Sequence, residues 1–473
     1  MSEAARIKAL AAAARLLEPD AATRHALMTA VTAHAERFLE GLPERPTYDG
    51  ASGGVPPNFA EGPGEIEQAL AHLAEHVEGS GIATASGRFL GYIPGGGLFH
   101  AALGDFLAAV SNKYAGFTPA APGAVKLEHS CVHFLSQSVG FPATAGGTLT
   151  SGGSIANLAA IVAARDARDS TGGGAVYSAP TAHHCVDKAL RIAGRADAPR
   201  RTLVLDDNYR INPASLEAAL TQDMKDGVRP WLVVASAGTV DTGSVDPLDE
   251  IAEICARHGV WLHVDGAYGG LFMLCPEGRA ALNGIERADT LAVDPHKTLF
   301  LPYGTGAVLA RDGRTLRAAF SATADYLTEF AAHEDVSPSD LSPELTRHFR
   351  AIRLWLPLQL AGVAAFRAAQ SEKIALARYM HARLSEMPGW DAGKPPDLSV
   401  LAFRYLPGHR DIDLFNERLT RRLQNDGRAF FSSTRIRGRV HIRAAVLSFR
   451  THLEHINEAL EALADAAQAL EAE

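Results

Sequence analysis

One lysine and one aspartate, 297 − 265 = 32 residues apart, each stand where an apolar run meets a polar knot. The lysine lies in Asp289-Thr290-Leu291-Ala292-Val293-Asp294-Pro295-His296-Lys297-Thr298, between an imidazole and a hydroxyl. Lysine is the side chain that forms Schiff bases with carbonyl compounds, once burial or neighbours lower its pKa. The aspartate, Asp265, closes the run Val260-Trp261-Leu262-His263-Val264 and precedes Gly266-Ala267-Tyr268-Gly269-Gly270. A buried carboxylate needs a cationic or donor partner. A protonated ring nitrogen, a metal ion or the free N–H groups of a helix start would each serve, and the small Gly266 and Ala267 leave room for a ring.

Two further stretches carry groups of the same kind. Thr150-Ser151-Gly152-Gly153-Ser154-Ile155-Ala156-Asn157 reads as a strand end, a glycine turn and a helix start. Glycines let the backbone approach a ligand, and helix N-termini with serine hydroxyls hold anions such as phosphate. It lacks the G-x-x-x-x-G-K-[ST] pattern of a nucleoside-triphosphate loop. Gly152-Gly153-Ser154-Ile155-Ala156 approaches the G-x-S-x-G nucleophile elbow, which makes a serine hydrolase a rival reading that would leave Lys297 and Asp265 idle. Thr181-Ala182-His183-His184-Cys185-Val186-Asp187-Lys188-Ala189 offers two adjacent histidines with separate orientations. One of them can stack on a flat ligand, or cap a helix. No His-x-x-x-His and no clustered cysteine accompanies them, so no metal site is expected.

These groups must be held by an α/β framework. Strands are expected at Thr148–Thr150, Ala175–Ser178, Thr202–Leu205, Leu232–Ser236, Val260–Val264, Thr290–Val293 and Ala307–Ala310. Helices fall between them at Ser154–Arg168, Cys185–Ile192, Asn212–Thr221 and Pro247–His258. That alternation predicts a mainly parallel sheet covered on both faces, with ligands at the strand ends. Upstream, residues 1 to 42 are helical without an obvious core of their own, which suggests packing on another surface or a second subunit. Glu44 to Pro63 reads as a Pro- and Gly-rich linker, and Ser86 to Gly97 as an aromatic, glycine-rich loop. Asp325 to Ser342 reads as a mobile loop, and Pro343 to Gln370 as a long helix that Pro357 should kink. Strands near Leu398–Tyr405, Ala429–Ser433 and Val440–Ala445 and a helix Thr451–Leu470 form a smaller C-terminal unit. Three parts are expected: a helical segment over 1–98, a large α/β domain over 99–368 and a small α+β domain over 369–473.

The bulk numbers agree with a globular protein of more than one core: 473 residues, 47% hydrophobic and 21% charged. A net charge of −9 argues against a nucleic-acid or anionic-membrane partner. Four scattered cysteines with no C-x-x-C pair, the lack of a signal-peptide pattern and the absence of an 18-residue apolar run point to a soluble, reducing, cytoplasmic setting.

Taken in order, the motifs resemble those of the group II pyridoxal phosphate-dependent amino acid decarboxylases. The resemblance rests on Tyr92-Ile93-Pro94, Thr150 to Leu158, His183 to Ala189, Gly238-Thr239-Val240-Asp241-Thr242-Gly243 with Asp246-Pro247, Val264 to Gly270, Asp294-Pro295-His296-Lys297, Arg347 to Trp355, and Arg443. It implies a fold-type I (aspartate aminotransferase-like) homodimer with its active site at the subunit interface and pyridoxal 5'-phosphate as cofactor. By the same resemblance Lys297 carries the cofactor as a Schiff base, Asp265 pairs with its pyridine nitrogen, His183 stacks on the ring and Ala267 packs against the other face. Gly153, Ser154 and His296 hold the phosphate, and Thr239 belongs to the cofactor set. Phe89, Tyr92, Pro94 and Arg443 are expected to line the substrate pocket, with Tyr114 and Phe117 from the partner subunit. The implied reaction is decarboxylation of an L-amino acid, with an aromatic side chain suggested by Phe89 and Tyr92 and an acidic one by Arg88 or Arg443.

Two departures matter. Animal aromatic decarboxylases carry a mobile-loop tyrosine thought to protonate the carbanion. Here His333 to Leu345 contains none, and the nearest is Tyr326. His333 or one of His183 and His184 is then the expected donor, and oxidative conversion of the amino acid to an aldehyde is the alternative outcome. Thr298 stands where relatives often have tryptophan.

Overall fold

The computed structural model describes residues 2–50, 53–55, 59–321, 336–408 and 410–473. The chain opens with α1 (Glu3–Ala14), α2 (Ala21–Glu40), β1 (Tyr48–Asp49), α3 (Ile66–His72) and β2 (Gly81–Ile82). Then come α4 (Phe99–Ser111) and α5 (Pro122–Ser138). The alternating part runs β3 (Gly146–Thr150), α6 (Gly153–Arg168), β4 (Ala175–Ser178), α7 (Cys185–Ile192), β5 (Arg200–Thr202), α8 (Pro213–Lys225), β6 (Pro230–Ser236), α9 (Leu248–His258) and β7 (Trp261–Gly266). It continues through α10 (Pro276–Ala281), β8 (Thr290–Val293), α11 (Pro295–Thr298), β9 (Gly306–Ala310) and α12 (Arg314–Phe320). The long α13 (Ala351–Glu386) leads to β10 (Trp390–Asp391), β11 (Val400–Tyr405), α14 (Ile412–Asp426), β12 (Ser432–Ile436), β13 (Arg439–Ala445) and α15 (Leu453–Glu471).

Seven strands form the main sheet in the order β3-β9-β8-β7-β6-β4-β5. All neighbours are parallel except β9, which runs antiparallel to both β3 and β8. The central strands are buried along nearly their whole length, as the unbroken apolar runs Trp231–Ala235 and Leu291–Val293 require of a sheet covered on both faces. The fold is therefore the fold-type I arrangement of a mainly parallel seven-stranded sheet with a smaller C-terminal unit. That unit has a four-stranded antiparallel sheet, β10-β11-β13-β12, under α14 and α15. Two large cores fill the two parts. One joins the main sheet to α5, α9 and the first half of α13, and the other joins the second half of α13 to β11, β13, α14 and α15.

Several expectations move. The strand expected at Thr202–Leu205 is Arg200–Thr202, and that at Ala429–Ser433 is Ser432–Ile436. The linker over Glu44–Pro63 is tied at its start, because β1 pairs with β2 and Thr47 N–H donates to Gly427 O at 2.9 Å. The long helix begins at Ala351 rather than Pro343, and its break lies at Gly362 (φ 73°, ψ 154°), not at Pro357. Proline keeps a helical φ and removes one donor, whereas a positive φ is open chiefly to glycine. Of the expected mobile loop, residues 325–335 lie outside the described residues, Tyr326 and His333 among them. Its end is docked: Thr118 N–H donates to Ser337 Oγ at 3.0 Å, Ser339 N–H donates to Gly116 O at 3.1 Å, and Pro338 is buried. None of the residues of α1 or α2 is buried, and Ile7, Leu10, Leu16 and Leu17 stand exposed. Among the described residues no helix is long and apolar enough to cross a membrane.

A buried ion pair locks β3 in place. Arg347 donates to Glu128 Oε1 and Oε2 at 2.9 and 3.1 Å, to Thr148 Oγ1 at 2.7 Å and to Leu149 O at 2.5 Å. Both side chains are fully enclosed, at 0% and 1% exposure. Removing one partner of such a pair strands the other charge. Arg347→Met is expected to cost about 3–5 kcal/mol in urea unfolding, and a loss below about 1 kcal/mol would contradict the pairing.

Candidate active site

Five strand ends meet at one cavity of about 290 Å³. β3 delivers Ser151 to Ser154, β4 delivers Thr181, His183 and Cys185, and β6 delivers Ser236 and Thr239. β7 delivers Asp265, Ala267 and Tyr268, and β8 delivers Asp294, His296 and Lys297. These are the carboxyl ends of the parallel strands, where the sequence placed the ligand.

Lys297 sits on α11, a single helical turn started by Pro295. The turn folds Lys297 back over Asp294, whose Oδ2 lies 3.0 Å from its Nζ. Asp294 is itself buried, at 2% exposure. Burial disfavours the ammonium form, yet the Asp294 ion pair and the Asp265 charge outweigh it and hold Lys297 above the ordinary lysine range. Burial by itself would lower the Lys297 pKa, as Schiff-base chemistry asks, but the Asp294 carboxylate beside it favours the cation. Thr298 is fully buried and its hydroxyl donates to Tyr268 O, which ties α11 to the loop after β7 instead of offering the hydroxyl to a ligand.

The remaining walls are equally determined. Asp265 Oδ1 accepts from Ala267 N–H at 3.1 Å. His183 Nδ1 accepts from Cys185 N–H at 3.3 Å, so the ring carries its proton on Nε2. Burial, against the pull of Asp265, pushes the His183 pKa below the usual range. His184 lies 4.1 Å away, ring centroid to centroid, but not on the cavity wall, which favours His183 as the stacking ring. His296 Nδ1 donates to Thr305 O at 2.7 Å, and its Nε2 lies 3.7 Å from Asp294 Oδ2. Burial, opposed by the Asp294 charge, lowers its pKa too. Thr239 is buried, with its hydroxyl 2.8 Å from that of Thr242. Gly153 admits no larger residue: a Cβ there would come 2.9 Å from Asp294 Oδ2 and 3.0 Å from the Ala267 Cβ.

The wall also carries polar groups that nothing among the described residues satisfies. Thr181 Oγ1 and Asp294 Oδ1 are buried without a hydrogen-bond partner, and buried polar atoms of this kind call for a ligand. Together with the helix N-terminus at Gly153, a primary amine, an imidazole plane and a buried acid, they fit pyridoxal 5'-phosphate.

The expected substrate residues fare differently. Phe89 is not a pocket residue; it is 2% exposed and packs against Phe430 at 5.7 Å. Tyr92 is 58% exposed and held at φ 50°, and Pro94 is buried. Neither lines this cavity within the chain, and nor do the half-buried Tyr114 and Phe117. Arg443 lies behind the wall. It donates to Val240 O at 2.5 Å, to Tyr92 O and to Ser432 Oγ at 3.3 Å, leaving Nη2 buried without a partner. Burial brings its pKa down to about 10.

Asp294, Thr181 and Cys185 were given no role from the sequence. For Asp294 the signal was present: it stands three residues before Lys297 across a proline-started turn, and i,i+3 side chains meet on a helix. Cys185 places its thiol with His183 and Asp265 in a group whose ligand atoms all lie within 4.8 Å. Burial first, and the Asp265 charge second, push that thiol up to about 12, so it rests protonated.

Residues 52–406 match the model of the pyridoxal-dependent decarboxylase conserved domain. The aromatic-L-amino-acid decarboxylase of Bacillus atrophaeus is 35% identical over 376 residues, covering 78% of each chain. The phenylacetaldehyde synthase of Arabidopsis thaliana is 27% identical over 435 residues, covering 88% of this chain and 89% of that one. Among solved structures, Oryza sativa TDC with PLP and tryptamine superposes with a TM-score of 0.89 at 25% identity, over 96% of this chain and 99% of that one.

Asp294→Asn removes the charge that favours the Lys297 ammonium. The amine should then lose its proton at lower pH, so that acylation of Lys297 in the cofactor-free protein begins at a lower pH than in the parent. An unchanged pH profile, read by peptide mapping, would contradict the ion pair's role.

Proposed function

This chain belongs to the pyridoxal-dependent decarboxylase family and is a carboxy-lyase that uses pyridoxal 5'-phosphate to decarboxylate an L-amino acid; on that premise we propose that its substrate is an aromatic L-amino acid and its product the amine. The observation that carries the proposal is the Lys297–Asp294 pair at 3.0 Å in one cavity with Asp265 and His183. The aromatic choice draws on the 35% identical aromatic-L-amino-acid decarboxylase. It also draws on Arg443, whose guanidinium is engaged by the carbonyls of Val240 and Tyr92 and is poorly placed to select an acidic side chain.

Lys297 would carry the cofactor. Gly153, Ser154 and His296 would hold its phosphate, His183, Ala267 and Thr239 would enclose its ring, and Asp265 would pair with its nitrogen. Bound there, the cofactor supplies an electron sink for the electrons left when carbon dioxide departs. Asp265 contributes a fixed negative charge that stabilises positive charge brought against it. Asp294 keeps a proton on Lys297 Nζ, ready to be returned to the amine as product leaves. His183, protonated on Nε2, is the proton-bearing imidazole of the wall in a chain whose 333–345 segment has no tyrosine, and is our candidate donor.

That missing tyrosine and the similarity to a phenylacetaldehyde synthase favour a second reading, oxidative conversion of the amino acid to an aldehyde. The exposed apolar side chains of α1 and of α4, including Phe99, Leu103, Phe106 and Leu107, support a homodimer in which Tyr114, Phe117 and the Tyr92–Pro94 loop complete a site shared between subunits. A division into 1–98, 99–368 and 369–473 draws support from a second core taken almost wholly from the last of these and from the lack of buried residues in α1 and α2. Four free cysteines suit a cytoplasmic location.

Incubation with a panel of L-amino acids, scoring amine and carbon dioxide against aldehyde and peroxide, tests the proposal. Amine from aromatic substrates is the expected result, and aldehyde with peroxide would establish the second reading. Lys297→Ala should abolish turnover and the covalent attachment of the cofactor that borohydride reduction otherwise produces, while the fold is kept; residual turnover near the parent's would overturn the assignment. Light scattering should give twice the 50.2 kDa chain mass.

A further inference from the structure

We infer that His263 is a positioning residue for the cofactor, fixing the spacing between the phosphate cradle and Asp265 through its neutral Nε2–H tautomer. The inference rests on the reading that the cradle and Asp265 take opposite ends of the cofactor. His263 is fully buried and lies two residues before Asp265, on the same face of β7. It pairs across the sheet with Thr290 of β8.

Four side chains and one carbonyl form a chain of hydrogen bonds in which every donor is determined. Gly153 O can only accept, so the Asn157 amide nitrogen must face it, at 2.8 Å. The Asn157 oxygen therefore faces His263 Nε2, at 2.6 Å, and that nitrogen must carry the proton. At the other end the Trp261 indole can only donate, and it donates to Thr290 Oγ1 at 3.0 Å. The Thr290 hydroxyl then gives its own proton to His263 Nδ1, at 3.0 Å. Burial pushes the His263 pKa down to about 4 against the charge of Asp265, so the neutral ring this order requires is the one present near neutral pH. All four side chains are at most 4% exposed, and none has an unsatisfied atom.

The chain ends on Gly153, the first residue of α6 and of the phosphate cradle. It starts on the strand that carries Asp265. It is thus a strut between the two ends of the proposed cofactor site; Asn157 borders the cavity, whereas Trp261, His263 and Thr290 lie behind its wall. A ligand that spans both ends depends on the strut, whereas a ligand of one end does not.

The test titrates cofactor-free full-length protein with pyridoxal 5'-phosphate, and separately with inorganic phosphate read from its competition with the cofactor. His263→Phe leaves the Asn157 and Thr290 groups unmatched. It should weaken the cofactor by about tenfold or more while phosphate alone stays within about threefold. His263→Gln, whose amide can both donate to Asn157 and accept from Thr290, should restore cofactor affinity to within about threefold of the parent. Cofactor affinity unchanged in His263→Phe, or phosphate weakened as much as the cofactor, would overturn the inference. If His263→Phe does not fold by circular dichroism, Thr290→Val is judged by the same two criteria. Asp265→Asn is run alongside. Unaltered cofactor affinity there would sink the cofactor placement and the inference with it, whereas a loss in Asp265→Asn without one in His263→Phe removes the inference alone.

Discussion

A half-buried ammonium group and a fully buried carboxylate 3.0 Å apart set the terms for the rest of this molecule. The carboxylate is not tolerable alone in such a place, since desolvating one ion costs several kcal/mol. The pair therefore demands a cavity whose other walls are polar and held in place. The strand ends meet that demand. Asp265 adds a second negative charge, His183 and His296 are kept neutral by burial, and the Cys185 thiol stays protonated. Among the described residues that line the cavity, Lys297 is thus the single cation, set beside two acids and groups that resist ionisation. An anionic cofactor with a carbonyl group is the ligand that uses such an arrangement.

The large domain was legible because its chemistry and its periodicity coincide. Continuous apolar runs give parallel strands buried on both faces, and each motif follows such a run directly, so the motifs gather at one edge of the sheet whatever the distance between them in the chain. Lys297, Asp265, His183, Gly153 and Ser154 reach one cavity for that reason. Asp294 was legible in principle, being one helical turn before the lysine. What was not legible is which way a side chain turns when two faces are both apolar. Phe89 belongs to an aromatic run beside glycines, which reads equally as pocket or core, and its contact with Phe430 of the other domain decides for core. The short edge strands β5 and β12 shifted along the chain by two or three residues because an edge strand with polar residues on one side is weakly patterned. The kink in α13 was assigned to the residue with the worse helix propensity, yet it is Gly362, not Pro357, that takes the conformation open chiefly to glycine.

The two domains are joined by polar clamps as well as by packing. Tyr268, next to Asp265 and Ala267 at the end of β7, has its hydroxyl 2.8 Å from Ser399 Oγ and accepts from Ser399 N–H at 2.8 Å. Arg443, on β13, reaches back to Val240 beside Thr239 and to the Tyr92 loop. Thr434 donates to Asp241 at 2.6 Å. These contacts act on the loops after β6 and β7, so the small domain fixes the geometry of walls it does not itself form. Arg443 in particular is better understood as a brace than as a substrate ligand, since its donors meet backbone carbonyls that belong to two different loops.

The same logic extends beneath the site. A cofactor held at both ends measures the distance between its anchors, and a cavity built from five separate strand ends has no covalent means of keeping that distance. Hydrogen bonds whose donors and acceptors are each determined do so better than apolar contacts, because an alternative arrangement leaves a buried group unmatched. Arg347 with Glu128 locks β3, Thr298 with Tyr268 O locks the lysine turn to the loop after β7, and the Trp261-Thr290-His263-Asn157 chain locks β7 and β8 to the start of α6. The first tie holds β3 to α5 and to the segment before α13, and the other two join strand ends to one another. The geometry of the cavity is accordingly a property of the polar network under it, while the apolar core supplies the stability that lets so many polar groups be buried.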